Sequence, residues 1–268
     1  GAMLIGANLA VAGVLMQGLT RNILASPSIL GITSGAACFM ALSSIGVVLL
    51  ASLNSVLVAA LGGVIGGGLV MVLGGFFSHS AHPLRLILAG IAMSALLVGI
   101  TRASVILADD MAYSVIAWLA GSVSTLDWHH FSQLALFSLP ALLLAFYIAG
   151  KMNLLALGEE MATGLGLNIK QVRWFACISI IFLTASSVAI AGPIAFVGLL
   201  IPHIARKIVG FEHRVLIPCS ALLGASLLLW ADALSRVIAF PMETPVGVIT
   251  ALIGSPCFIL LALRSKLS

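Results

Sequence analysis

The residues of this chain that could do chemistry are few, and they stand within or beside long apolar stretches. They are Gln17, Asn22, Arg102, Asp232 and Arg236. Polar and ionisable groups in apolar surroundings are costly unless they are paired or line a wet cavity. Asp232 and Arg236 are four residues apart, so a helix would place them on one face and within reach of each other. The spacing favours an ion pair, a functional contact of Arg236, or both.

No group of residues has the spacing of a catalytic or metal site. The sequence contains no GxxxxGK[ST] motif, so nucleotide hydrolysis by a P-loop mechanism is not expected of it. His129 and His130, like His79 and His82, have no cysteine and few acids nearby, which is a poor donor set for a closed metal site. We therefore expect a protein that is not an enzyme and that binds no metal or other cofactor.

The composition is that of a membrane protein. Hydrophobic residues make up 62% of the chain, charged residues only 7%, and the mean hydropathy is +1.25. Soluble domains carry about 25% charged residues. The net charge of +4 comes from scattered Lys and Arg rather than from a basic patch, so nucleic acid is not an expected partner. Membrane lipid is an expected partner, because an excess of Lys and Arg in loops is typical of an oriented membrane protein.

Nine apolar segments follow one another, and most approach the length of about 20 residues that a spanning helix needs. They run roughly over residues 2–20, 28–50, 54–77, 84–108, 130–150, 174–192, 193–205, 215–240 and 245–263. Glycines such as Gly62, Gly63 and Gly66, and Gly6 with Gly13, are spaced for close packing between helices in lipid. The sequence predicts an all-α polytopic membrane protein with about nine transmembrane helices in a single domain, residues 1–268.

The basic residues predict the orientation. Ten of the twelve Lys and Arg residues fall in the loops on one side: Arg21, Arg85, Lys151, Lys170, Arg173, Arg206, Lys207, Arg214, Arg264 and Lys266. Arg102 and Arg236 fall on the other side. Lys and Arg near spans are retained in the cytoplasm, so the side with ten is expected to be cytoplasmic.

Two loops are long enough to hold structure. The outer loop, about 109–129, has a helical spacing of apolar residues from Met111 to Leu119, so a short helix at the outer surface is expected. The inner loop, about 151–173, contains a candidate helix from Gly158 to Leu165 with Glu159 and Glu160 in its first turn. This inner insert is either a docking element for a cytoplasmic partner or an ordinary solvated loop.

Several long stretches of the chain have a distinctive sequence: GANLAVAGVLMQ (6–17), RNILASPSILGITSGA (21–36), AGPIAFVGLLIPHIAR (191–206), HRVLIP (213–218), ADALSR (231–236) and PVGVITALIGSPCF (245–258). Together they resemble the permeases of ATP-binding-cassette (ABC) importers for ferric siderophores, haem and vitamin B12. LAGIAMSA (88–95) and WLAGSVS (118–124) are similar to the ferric-citrate and other ferric-siderophore members.

The resemblance implies a type II ABC importer permease bundle of ten helices, of which the first is expected to be missing from this chain. It implies a bacterial cytoplasmic (inner) membrane location and, as partners, a second permease subunit (an identical copy or a paralogue), two cytoplasmic ATPase subunits that hold ATP and magnesium, and a periplasmic or lipoprotein substrate-binding protein. The implied cargo is a ferric siderophore or another ferric chelate, moved by alternating access.

The resemblance also assigns roles to residues. It implies that the inner loop is the ATPase-coupling element, with Gly158, Glu159, Glu160, Ala162, Gly164, Leu165 and Gly166. Arg236, and with it Arg102, is expected to dock the binding protein at the outer surface, and Gln17 and Asn22 are candidates for the pathway.

Two other functions stay open at this point. Haem or vitamin B12 import would use the same architecture. A stand-alone secondary transporter or channel is the alternative from another class, but it leaves the inner loop unexplained and would usually carry more buried carboxylates than Asp232 alone.

Overall fold

The computed structural model describes residues 1–47, 50, 53–75, 83–107, 112–238 and 244–265. The described chain is helical. Its helices are α1 (Ala2–Thr20), α2 (Ile32–Ser44), α3 (Ser55–Leu73), α4 (Pro83–Leu107), α5 (Ala112–Leu119), α6 (Trp128–Ala156), α7 (Glu159–Gly164), α8 (Ile169–Ala191), α9 (Val197–Val209), α10 (His213–Ile238) and α11 (Val246–Ser265). His79, His82 and residues 109–111 of the expected outer loop lie outside the described residues.

Six helices of the described residues are long and apolar enough to cross a membrane: α1, α3, α4, α6, α8 and α10. The expected count of nine is therefore not confirmed. α2 and α9 have 13 residues each, and at about 1.5 Å per residue they are shorter than a hydrocarbon core of about 30 Å. The segment expected at 28–50 begins as a 3₁₀ turn, Pro27–Leu30, and its α-helix starts only at Ile32, after Gly31 at φ 69°.

Helix α1 lies at the centre of the bundle and packs against α6, α8, α9 and α10. Glycines make this possible, as their spacing predicts. A methyl group on Gly6 would overlap the carbonyl oxygen of Gly224 in α10, and one on Gly13 would overlap that of Gly198 in α9. In lipid, close van der Waals contact between helices replaces the hydrophobic drive that assembles soluble bundles. These contacts therefore stabilise the core that holds the loops in place.

A second glycine seam joins α2 to α3. Gly35 and Gly62 lie so close that a Cβ on either would collide with the other's carbonyl oxygen. Gly66 lies against Gly31 and Gly35 in the same way, whereas Gly68 has open space around it. Glycine is therefore required on one face of α3 and not on the other.

The loops gather at two ends of the bundle. At one end the side chain of Asn153 in α6 accepts a hydrogen bond of 2.8 Å from the backbone N–H of His213 in α10, and Arg21 donates to the carbonyl of Leu155. At the other end Ser122 N–H donates to Ala191, and Gly247 N–H donates to Gly121. The first end carries Arg21, Lys151, Lys170, Arg173 and the basic residues where α9 ends and α10 begins, so the charge asymmetry of the sequence is also an asymmetry in space.

Candidate functional site

The short helix α7 stands in the inner loop between two long helices. It covers Glu159–Gly164, within one residue of the helix that the sequence predicts. Glu159 and Glu160 occupy its first turn, where carboxylates suit the helix dipole. Gly158 at φ 117° precedes it and Gly166 at φ 80° follows it, both conformations that residues with a Cβ rarely adopt.

One side of α7 is buried and the other is bare. Ala162 has no exposed surface, and its carbonyl accepts a 3.0 Å hydrogen bond from the N–H of Leu167. Met161 and Leu165 point away from the bundle, each with 63% of its surface exposed. The exposed side of α7 therefore carries apolar side chains next to acidic ones.

An ion pair fastens α7 to α8. Arg173 Nη2 lies 2.7 Å from Glu159 Oε1 and donates a hydrogen bond to it. The side chain of Arg173 is 9% exposed and that of Glu159 is 43% exposed. Sequence reasoning used Arg173 only as one of the orienting charges and missed this contact, because a separation of fourteen residues across a loop has no fixed geometry.

A second polar cluster lies at the same end of the bundle. Arg206 in α9 donates to Oε1 of Gln17 in α1 at 2.5 Å, and Gln17 Nε2 donates to the carbonyl of Leu199 at 3.4 Å. Gln17 is 3% exposed. This side chain therefore ties α1 to α9 inside the bundle, and its role in a pathway stays a prediction.

Asn22 stabilises the turn that follows α1. It follows Arg21, whose φ of 49° ends α1, and its Oδ1 accepts the N–H of Leu24 at 2.9 Å. Asparagine commonly forms such a turn. Asn22 and Gln17 are joined through the backbone, since the N–H of Asn22 donates to the carbonyl of Gln17. Participation of Asn22 in a pathway is likewise a prediction that the geometry leaves open.

At the opposite end, the expected pair of Asp232 and Arg236 is present. Arg236 Nε lies 3.3 Å from Asp232 Oδ2 within α10, with the arginine side chain 50% exposed and the aspartate 17%. Arg102 is exposed near the end of α4. Both arginines therefore have surface available for a partner, although they stand on different helices.

Helix α5 lies within residues 109–129, where the sequence predicts a short helix. The residues at and just after its end meet α8 and α11 through glycines: Gly121 and Gly192 both have positive φ, and a Cβ on Gly247 would overlap the carbonyl of Ala120. The backbones of three segments thus touch directly. A contact this close fixes α5 against the ends of two helices.

Comparison of the sequence with known proteins identifies its family. Residues 1–264 match the FecCD transport family. The Fe(3+) dicitrate transport system permease protein FecC of Escherichia coli (strain K12) is 46% identical over 264 residues, which cover 98% of this chain and 80% of the relative. The permease protein FecD of the same Fe(3+) dicitrate system and organism is 39% identical over 265 residues, covering 99% of this chain and 82% of the relative.

A solved structure agrees in fold. A metal-chelate type ABC transporter in an inward-facing conformation superposes with a TM-score of 0.87 at 32% identity, covering 98% of this chain and 83% of the other. The similarity in sequence and structure extends over nearly the whole chain. The chain, a multi-pass bundle with six helices of spanning length among its described residues, therefore belongs to the FecCD transport family.

Proposed function

We propose that this chain is the membrane subunit of an ATP-driven importer that moves ferric citrate or a related ferric siderophore across the bacterial cytoplasmic membrane. The observation that carries the proposal is the 46% identity with the ferric dicitrate permease FecC over 98% of this chain. At this level of identity the translocating bundle and its orientation are expected to be shared.

The proposed assembly has four other members. A second permease subunit completes the pathway, two cytoplasmic ATPase subunits hold ATP and magnesium, and a binding protein, periplasmic or lipid-anchored, delivers the chelate. The similarity of the chain to both FecC and FecD supports either a second copy of this chain or a paralogue as the partner permease. In this assembly the chain itself neither makes nor breaks a covalent bond, and we assign it no cofactor of its own.

The proposed topology has nine crossings of one domain, with the end that carries α7 in the cytoplasm. The short helices α2 and α9 complete their crossings through non-helical backbone, residues 21–26 and 192–196, which is tolerated inside a bundle when protein rather than lipid surrounds it. Loops would then alternate between the two ends in the order that the basic residues indicate.

The proposed mechanism is alternating access driven from the cytoplasm. Closure of the ATPase dimer moves α7, the bundle rearranges, and the pathway opens to the other side. The coupling element is residues Gly158–Gly166, in which Met161 and Leu165 supply the exposed apolar contacts. Arg236 and Arg102 meet the binding protein, and Gln17 and Asn22 respond to movement between α1 and its neighbours.

Reconstitution tests the proposal. The chain is placed in proteoliposomes with its partner permease, ATPase and binding protein, and uptake of ⁵⁵Fe-citrate is followed with ATP or with a non-hydrolysable analogue. We expect uptake only with hydrolysable ATP and binding protein. Uptake by the permease without the ATPase would instead identify a stand-alone transporter, and uptake of haem in preference to ferric citrate would reject the cargo.

A further inference from the structure

We propose that Arg173 is a positioning residue that fixes the angle of α7 through its ion pair with Glu159 and passes movement of α7 into α8. The inference rests on the proposed function, since it concerns how the coupling helix acts. It assigns to one buried side chain the link between the docking helix and the membrane bundle.

The backbone alone does not hold the angle of α7. Gly158 and Gly166 flank the helix in left-handed or related conformations, and a Cβ added to either would meet nothing within 4 Å. Backbone hydrogen bonds from Gly158 to Leu155 and from Gly166 to Thr163 remain, but no side chain packs at either glycine. A six-residue helix between two of them can turn as a unit unless another contact stops it.

Side-chain packing holds α7 against the bundle but does little to fix the angle between α7 and α8. Ala162 is fully buried, but a single methyl group gives little leverage against rotation. An open groove of about 710 Å³ lies between α7 and α8, bordered by Glu160, Thr163 and Lys170 and by the Glu159–Arg173 pair itself. Because this side is not filled, no close packing there prevents α7 from tilting.

The ion pair supplies the missing constraint. Glu159 lies in the first turn of α7 and is held at 2.7 Å by an arginine that is almost entirely buried. Breaking a buried ion pair is costly, so the contact favours the arrangement of the two helices in which Glu159 meets Arg173. The planar guanidinium also fixes direction, which a lysine ammonium does not.

Arg173 stands where a force on α7 would enter the core. It lies in the second turn of α8, whose first turn is capped by Asn168 through a 3.1 Å bond from the N–H of Gln171. Helix α8 then runs through the bundle against α1, α3 and α6. A displacement of Glu159 is therefore delivered to a rigid helix in contact with the central α1.

A charge swap tests the proposal in the assembled importer. Arg173→Glu, Glu159→Arg and the double variant are reconstituted with ATPase and binding protein, and ⁵⁵Fe-citrate imported per ATP hydrolysed is measured. Each single variant is expected to lower this ratio about fivefold or more, a typical size for coupling between sites, and the double variant to recover most of it. Lys207→Glu, a reversal at an exposed cation on α9, is the matched control and should leave the ratio unchanged.

The outcomes separate this inference from the proposed function. If the double variant is as impaired as the singles while the ATPase still co-purifies and hydrolyses ATP, the positioning role is rejected and the importer stands. If Arg173→Glu fails to fold, Glu159→Gln replaces it, because this variant keeps the shape of the side chain and removes its charge. An unchanged ratio of ⁵⁵Fe-citrate imported to ATP hydrolysed in Glu159→Gln rejects the proposal. If no ATPase binds the unaltered chain, the proposed function fails instead.

Discussion

Glycine at helix crossings is the residue-scale feature on which the bundle depends. Gly6 in α1 touches the backbone of Gly224 in α10, and Gly68 in α3 faces open space. Both are helical glycines in apolar segments, and only the packing around them differs. They therefore form a matched pair for measuring what close approach contributes to stability.

We expect Gly6→Ala to destabilise the protein and Gly68→Ala to leave it unaffected. The methyl group on residue 6 would collide with a carbonyl oxygen that cannot move without displacing α10. Overpacking of this kind costs about 1–3 kcal/mol. The midpoint of thermal unfolding in detergent, followed by size-exclusion chromatography, measures both variants. Equal midpoints would mean that α1 and α10 separate easily.

Arg236 is the second residue with a testable role. The Arg236 side chain is half exposed, so its pair with Asp232 is of small energetic value, and part of the arginine surface is accessible to a partner. We expect Arg236→Glu to weaken stimulation of ATP hydrolysis by the binding protein and to change its dependence on salt. Asp232→Asn keeps the cation and should retain stimulation. Full stimulation of the Arg236→Glu variant would remove this residue from the docking surface.

At the scale of elements, sequence reasoning succeeded where the pattern is local and failed where it is not. Helix α7 was predicted because acids, a short apolar run and flanking glycines all lie within nine residues. The start of α2 was wrong, because hydropathy continues through Pro27 and Gly31 while the backbone does not continue as an α-helix. The contacts Arg173–Glu159 and Arg206–Gln17 depend on how distant helices dock, which composition and spacing leave undetermined.

The exposed face of α7 carries its own prediction. Met161→Ser together with Leu165→Ser should weaken binding of the ATPase about tenfold or more, because central apolar anchors dominate interfaces. Phe211→Ser, at an apolar residue outside α7 that is 75% exposed, is the control. Affinity of the ATPase for the permease in nanodiscs is the measurement. If the control weakened binding and the α7 variant did not, the docking face would lie beside α10 rather than on α7.

For the whole molecule, the central claim is its orientation, which the two ends of the bundle make testable. The end with α7 also carries Arg21, Lys151, Arg173 and Arg206, and the retention of cations in the cytoplasm predicts that this end is cytoplasmic. Thr125, between α5 and α6, is exposed at the opposite end.

In a variant without the four native cysteines, Thr125→Cys should react with an impermeant maleimide added to intact spheroplasts, and Glu160→Cys only after the membrane is opened. Each variant is the control for the other. Labelling of one cysteine shows that the chain is inserted in the membrane and that the maleimide reaches that side of it. The reverse pattern would invert every crossing at once, because the helices alternate, and would place the coupling helix where no ATPase could reach it.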